Sequence, residues 1–96
     1  MCNDVDTNKN DSNKPMGERL AVLAIIVEEI SAVHQVNELL TLYGRYVVGR
    51  MGLPNVREGV NVISIVLSAP AEVINALTGK MGSLKGVTAK TLFSKV

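Results

Sequence analysis

Arg50 lies between Gly49 and Gly52 at the predicted end of a strand, and this segment has the residue types best suited to hold an anion. A guanidinium group binds carboxylates and phosphates through paired hydrogen bonds. Glycines let a ligand approach the backbone closely. We therefore expect Arg50, Gly49 and Gly52 to bind a ligand. The same pattern also fits an ordinary charge on an edge strand.

An acidic pair, Glu28 and Glu29, follows the first predicted strand and precedes a predicted helix. The helix dipole favours negative charge at this position, and hard cations also bind carboxylates. We include both residues in the expected ligand site. We predict no bound metal, because the chain has one histidine, His34, and one cysteine, Cys2, too few for a site of nitrogen and sulfur ligands.

Catalytic chemistry finds little support in the sequence. No base stands at a recognisable spacing from the serines that could act as nucleophiles, and no segment matches a phosphate-binding loop or the dinucleotide fingerprint. We predict that the protein is not an enzyme and uses no cofactor. The serines considered are Ser31, Ser64, Ser68 and Ser83.

Composition excludes two classes of partner. The net charge is +1, and the basic residues are scattered among acidic ones with two tyrosines and one phenylalanine, a poor surface for nucleic acid. No run approaches the roughly 18 apolar residues of a membrane span, and no signal peptide is recognisable. We expect a cytoplasmic protein with no membrane or nucleic-acid partner.

Two regions differ sharply in polarity. Residues 3–14 are polar except for Val5, so residues 1–18 predict a disordered tail, while residues 19–96 predict one folded domain. A domain of this size gains only a few kcal/mol of net stability from its own core. Oligomerisation is therefore expected to help it.

The folded region repeats one pattern after forty residues. Residues 20–27 align with residues 60–67, both strand-like, and residues 45–50 align with residues 85–90. Between them lie segments with apolar residues at helical spacing, the first capped by Ser31 and ended by a left-handed Gly44, the second with Pro70 in its first turn. Two strand-helix-strand units therefore follow one another.

The connection between the second and third strands is too short for a crossover, so these strands are predicted to form an antiparallel hairpin, the second ending where residues 52–54 read Gly-Leu-Pro. The order predicts an α+β fold, a ferredoxin-like (ACT-like) βαββαβ sandwich with two helices on one face of a four-stranded antiparallel sheet. The first and third strands are central. The other face, bearing Val22, Ala24 and Ile26 or the residues that alternate with them, is left uncovered, which predicts pairing with identical subunits as a homodimer or homotetramer.

Several segments resemble the small ACT-like family described as regulators of iron-only hydrogenase systems. The most specific are Val-Gly-Arg-Met-Gly-Leu-Pro at residues 48–54 and Leu-Thr-Gly-Lys-Met-Gly at residues 77–82. Shorter similar segments lie at residues 25–27, 36–40, 63–65 and 83–87, so the resemblance covers nearly everything after the tail.

The resemblance implies a ferredoxin-like sandwich, homo-oligomers and a regulatory, transcription-linked role without an established ligand. It also implies a relation to the C-terminal domain of nickel-responsive repressors. That relative uses several histidines and a cysteine for nickel, whereas this core has His34 alone, and the repressor's DNA-binding domain has no counterpart here. The turn of amino-acid-binding ACT domains is replaced by Glu28 and Glu29. Neither nickel nor an amino acid is therefore carried over.

Two hypotheses of function follow. The first is a non-enzymatic regulatory module that self-associates and senses a small effector near Arg50 and the Glu28–Glu29 loop. The alternative is a structural or adaptor protein whose oligomer surface binds a protein partner without a small ligand.

Overall fold

A computed structural model describes residues 17–95. Most of the predicted tail, residues 1–16 with Cys2, lies outside the described residues. Short turns of 3-10 helix, Ile30–Ala32 and Gly44–Tyr46, stand on either side of the first α-helix. The regular elements are β1 (Glu18–Val27), α1 (Val33–Leu42), β2 (Val47–Arg57), β3 (Val60–Pro70), α2 (Ala71–Gly82) and β4 (Val87–Phe93).

The four strands form one antiparallel sheet in the order β2-β3-β1-β4. This confirms the predicted ferredoxin-like α+β sandwich, with the first and third strands in the centre. The forty-residue repeat is visible in the elements themselves. The helices α1 and α2 end at Leu42 and Gly82, and the strands that follow them begin at Val47 and Val87.

The core lies between the two helices and one face of the sheet. Along β1, Leu23 and Ile25 are fully buried, whereas Leu20, Val22 and Ile26 are 38% to 45% exposed. The apolar run of β1 is continuous, a pattern typical of strands that are buried on both faces. Within one chain only one face is covered, because both helices pack on the same side. Their contribution to the core comes from Val36, Leu40, Ile74, Leu77 and Met81.

The second strand is longer than its sequence predicts, since β2 continues past the Gly-Leu-Pro segment to Arg57. Pro54 fits there because β2 is an edge strand and its pairing with β3 is irregular between residues 53 and 57. In this irregular stretch Asn55 adopts a φ of 55°. Its N–H donates to Asn61 Oδ1 at 2.7 Å, and its own Oδ1 accepts the N–H of Gly59 at 3.2 Å. The antiparallel hairpin itself is confirmed.

Both predicted caps of α1 are wrong. Ser31 makes no capping hydrogen bond, because it lies inside the 3-10 turn through which the chain enters the helix. Gly44 has no positive φ, because a second 3-10 turn begins there and continues the helical hydrogen bonding in a tighter form.

The second helix begins at Ala71, and Pro70 is its N-cap at φ −59° and ψ 148° instead of lying within its first turn. It continues through Gly79 to Gly82, although glycine weakens a helix. Its buried stripe of Ile74, Leu77 and Met81 stabilises these turns by packing on the sheet. Neither this helix nor α1 is long and apolar enough to cross a membrane.

Candidate functional site

A groove of about 200 Å³ lies between α1 and the edge strand β2. It is open to solvent on one side and closed by β3 beneath. Its principal lining residues are Val33 and Asn37 from α1, Arg50 and Gly52 from β2, and Asn61 and Ile63 from β3. We call it the α1–β2 groove.

The register of β2 against β3 determines which face of the sheet carries Arg50, the cation of the groove. Arg50 is paired with Ile65, whose side chain is buried in the core, so Arg50 projects from the helix-covered face of the sheet. Its Nη2 donates to Asn37 Oδ1 on α1 at 3.5 Å, a long and exposed hydrogen bond. Among residues 17–95 no carboxylate lies within ion-pair distance of Arg50. The guanidinium is therefore left with most of its donors open to a ligand.

Three other cations of the domain are engaged with aromatic rings. The guanidinium of Arg19 lies 4.9 Å from the ring centre of Phe93, and that of Arg45 lies 5.2 Å from that of Tyr46. Lys80 Nζ donates to Tyr43 Oη at 3.0 Å. Each of these cations stabilises the surface on which it lies. Arg50 has no such ring among the described residues.

Gly52 keeps the groove open. It is paired with Ile63 on the helix-covered face, its φ is not positive, and a Cβ added to it would meet nothing within 4 Å. Neither backbone conformation nor close packing within the chain therefore requires glycine here. The missing side chain leaves space above Ile63 instead.

Gly49 faces the other way. It is paired with Val66, so a side chain there would project from the face of the sheet that the helices leave open. The structure thus brings Arg50 and Gly52 together in one groove and places Gly49 on the opposite face.

The acidic pair lies at a different corner of the molecule. The N–H of Glu28 donates to the carbonyl of Gly86 at 2.7 Å, and the side chain of Glu29 packs on the same glycine. Both glutamates are exposed and stand after β1, next to the start of β4. They do not line the α1–β2 groove.

The open face of the sheet is the second notable surface. Val22 lies between Val66 on β3 and Leu92 on β4, and Leu92 is 73% exposed. Met51 and Leu53 extend the apolar area onto β2. The charged residues that the strand pairing assigns to this face lie away from its centre. Glu18 and Arg57 are at strand ends, and Lys90 is on the edge strand β4. The centre of the face is therefore mostly apolar and uncovered, with Ser64 between Ala24 and Met51 as a polar residue.

The remaining polar groups do not form a reactive constellation. His34 is 82% exposed in its side chain and lies 3.3 Å from Glu38, one turn along α1. Within residues 17–95 no three histidine, cysteine or acidic side chains are grouped closely enough to hold a metal ion. The described residues that line the groove include no pair of groups that could transfer a proton.

Sequence reasoning did not identify Asn37 or Asn61 as groove residues. They are 13 and 11 residues from Arg50 in the chain and belong to two other elements. Helical spacing puts Asn37 one turn after Val33, and this is the only local signal that it shares the groove side of α1.

The fold and its surfaces define the class: a small ferredoxin-like α+β domain with one uncovered sheet face and one lateral groove. The model of the family designated "TM1266-like: Iron-only hydrogenase system regulator, putative" matches residues 19–91. The chain belongs to this family.

The solved structure of TM1266, an uncharacterised protein from Thermotoga maritima, is 37% identical, with 81% of this chain and 99% of that chain covered and a TM-score of 0.77. The nitrogen regulatory PII-like protein CPII from Thiomonas intermedia K12, bound to ADP, AMP and bicarbonate, is 21% identical, with 79% of this chain and 94% of that chain covered and a TM-score of 0.47. That likeness is too weak to support an inference about this chain. No curated protein matches.

Proposed function

We propose that this chain is a non-enzymatic regulatory domain of an iron-only hydrogenase system. It acts in the cytoplasm as a homo-oligomer, a dimer or a tetramer, and responds to a small effector. Membership of the regulator family supports the regulatory role. The ligand residues of the proposal are Arg50 and Gly52 in the α1–β2 groove. Gly49 lies on the opposite face of the sheet, and Glu28 and Glu29 lie at another corner, so these three expected ligand residues are outside the proposed site.

The observation that carries the proposal is the uncovered apolar face of the sheet. Strands about 4.8 Å apart, with a rise of about 3.3 Å per residue, make a four-stranded face of roughly 600 Å². Each partner in a standard interface buries about 800 Å². The face is therefore large enough to be the main part of a dimer interface, and its exposed side chains Leu20, Val22, Ile26 and Leu92 are apolar.

Self-association by this face also answers the stability problem of a small domain. Covering the exposed side of β1 in the oligomer would give the whole apolar run of that strand the burial its sequence predicts. Apolar burial contributes about 25 cal/mol for each Å² removed from water. Oligomer and fold would then stabilise each other.

Sedimentation velocity of the purified chain at micromolar concentration tests this proposal. We expect a species of two or four times the 10.3 kDa chain mass. A single monomeric species at these concentrations would contradict the self-association. Isothermal titration against nucleotides, amino acids, organic acids and divalent metals tests the sensing, and heat from none of these would contradict it.

A further inference from the structure

We propose that the α1–β2 groove binds a small molecule with one carboxylate group and a short aliphatic body. The carboxylate lies against Arg50 and the side-chain amides of Asn37 and Asn61, and the aliphatic body lies on Val33 and Ile63. The inference rests on the proposed function, because it gives the chemical class of the effector that the domain senses.

The charge of Arg50 is not neutralised by any acidic side chain among the described residues. The hydrogen bond from Arg50 to Asn37 is 3.5 Å long. A guanidinium with open donors binds a carboxylate through two parallel hydrogen bonds. The ligand therefore carries a negative charge where it meets Arg50.

The side-chain amides of Asn37 and Asn61 both have their oxygens engaged in hydrogen bonds within the chain. Asn37 Oδ1 accepts a hydrogen bond from Arg50, and Asn61 Oδ1 accepts one from the N–H of Asn55. An asparagine side chain has one oxygen acceptor and one nitrogen with two donors. With both oxygens engaged, the nitrogens remain as donors, so Arg50, Asn37 and Asn61 all offer hydrogens. Such a groove suits a ligand group that only accepts, as an ionised carboxylate does.

The number of cations in the groove limits the charge of the ligand. Arg50 is the one cationic side chain among the described residues that line the groove. A di- or triphosphate brings several charges, and a site for it needs several cations or a metal. A single carboxylate is balanced by a single guanidinium. The charge count therefore favours a monocarboxylate over a polyphosphate.

The apolar part of the groove indicates the chemistry of the rest of the ligand. Val33 and Ile63 provide the apolar lining, and Gly52 leaves the space above Ile63 empty. The volume of about 200 Å³ is below the 300–1,000 Å³ of typical ligand pockets. A short aliphatic chain fills this space and excludes water from it.

Two-dimensional NMR of the isotope-labelled chain tests the inference directly. The probes are butanoate, 3-methylbutanoate and hexanoate, with 3-methylbutanamide as the uncharged control and inorganic phosphate as the alternative anion. We expect the carboxylates to shift the amide signals of residues 50–53 and 61–63, and the uncharged amide and phosphate to leave them unchanged. No shift with any carboxylate, or equal binding of the amide or phosphate, would overturn the inference.

Two variants locate the binding. Arg50→Gln removes the charge, and we expect it to weaken carboxylate binding at least about tenfold, since hydrogen bonds to charged groups contribute roughly 1.5–3 kcal/mol. Gly52→Val fills the groove, and we expect a similar loss. Gly49→Val is the matched control, because it adds the same side chain to the same strand on the opposite face. Unchanged affinity in Arg50→Gln would overturn the inference even if the natural chain bound carboxylates.

The oligomeric state of the same samples separates the two proposals. An oligomer that binds none of the carboxylates overturns the ligand class and leaves self-association in place. A monomer that binds them in an Arg50-dependent way supports the ligand class and contradicts the proposed oligomer.

Discussion

At the scale of single residues, Arg50 and Gly52 combine two properties that a binding site needs. Arg50 provides a charge without an ion-pair partner among the described residues, and Gly52 leaves unoccupied space beside it. Arg19, Arg45 and Lys80 lie against aromatic rings, whereas Arg50 has one long hydrogen bond. Side chains alternate between the two faces of the sheet along β2, and this alternation determines which neighbours share a face with Arg50. Gly52, two residues away, lies on the same face, and Gly49, one residue away, lies on the other.

Gly86 is a position where both the backbone conformation and close packing require glycine. Its φ is +77°, and an added Cβ would lie 2.5 Å from Glu29 Cγ. We expect Gly86→Ala to lower the free energy of unfolding by about 1–3 kcal/mol, because alanine is strained in the left-handed region and collides with the acidic loop. Urea denaturation followed by circular dichroism measures the change.

The control for this prediction is Gly79→Ala in α2, where φ is not positive and nothing lies within 4 Å of an added Cβ. Alanine there should raise the free energy of unfolding by about 0.5–1 kcal/mol, because glycine is the weaker helix former. Equal effects of the two substitutions would show that the Gly86 turn is not constrained as described.

At the scale of elements, the β2–β3 hairpin holds one wall of the groove. Asn55 fixes its irregular stretch with a φ of 55° and hydrogen bonds to Asn61 and Gly59. We expect Asn55→Ala to cost about 1–2 kcal/mol of unfolding free energy, because alanine loses the bond to Gly59 and adopts this conformation less readily.

Hydrogen exchange localises the effect of Asn55→Ala, since faster exchange is expected in residues 53–61 and not in α2. Asn75→Ala is the control, because Asn75 is exposed on α2 and alanine favours the helix by a few tenths of a kcal/mol. Uniformly faster exchange throughout the chain would contradict a local role of Asn55.

The element order was predictable from periodicity alone. Apolar alternation in residues 60–67 and helical spacing after Pro70 are local properties of the chain, and short connections restrict the topology. The extent of β2 was not predictable in this way. Gly52 and Pro54 normally end a strand, and only its place at the sheet edge lets the strand continue.

The candidate site also contains some residues that local sequence predicts and others that only the fold brings together. Arg50 and Gly52 were predicted from one short segment, because residue type and proximity in the chain suffice for them. Asn37 and Asn61 come from α1 and β3, and only the folded chain brings them beside Arg50. Residues that meet through tertiary packing give no signal in a single sequence.

At the scale of the whole molecule, the domain has one covered and one uncovered face. The helices cover the side of the sheet that carries Leu23 and Ile65, and the centre of the other side is mostly apolar and open. Exposed apolar surfaces of this size mark interaction sites in proteins. The central claim is that a second copy of this chain covers this surface.

Two leucines allow a matched test of that claim. Leu92, on the open face, is 73% exposed, and Leu42, at the end of α1 on the helix layer, is 71% exposed. Aspartate at either position removes the same side chain and adds the same charge. Only the charge at Leu92 would be buried at the proposed interface, where it costs several kcal/mol.

The decisive measurement is sedimentation velocity of Leu92→Asp, Leu42→Asp and the natural chain at one micromolar concentration. We expect that the natural chain and Leu42→Asp sediment as the same oligomer and that Leu92→Asp sediments as a folded monomer, with its fold checked by circular dichroism. An unchanged oligomer in Leu92→Asp, or a monomeric natural chain, would contradict the central claim.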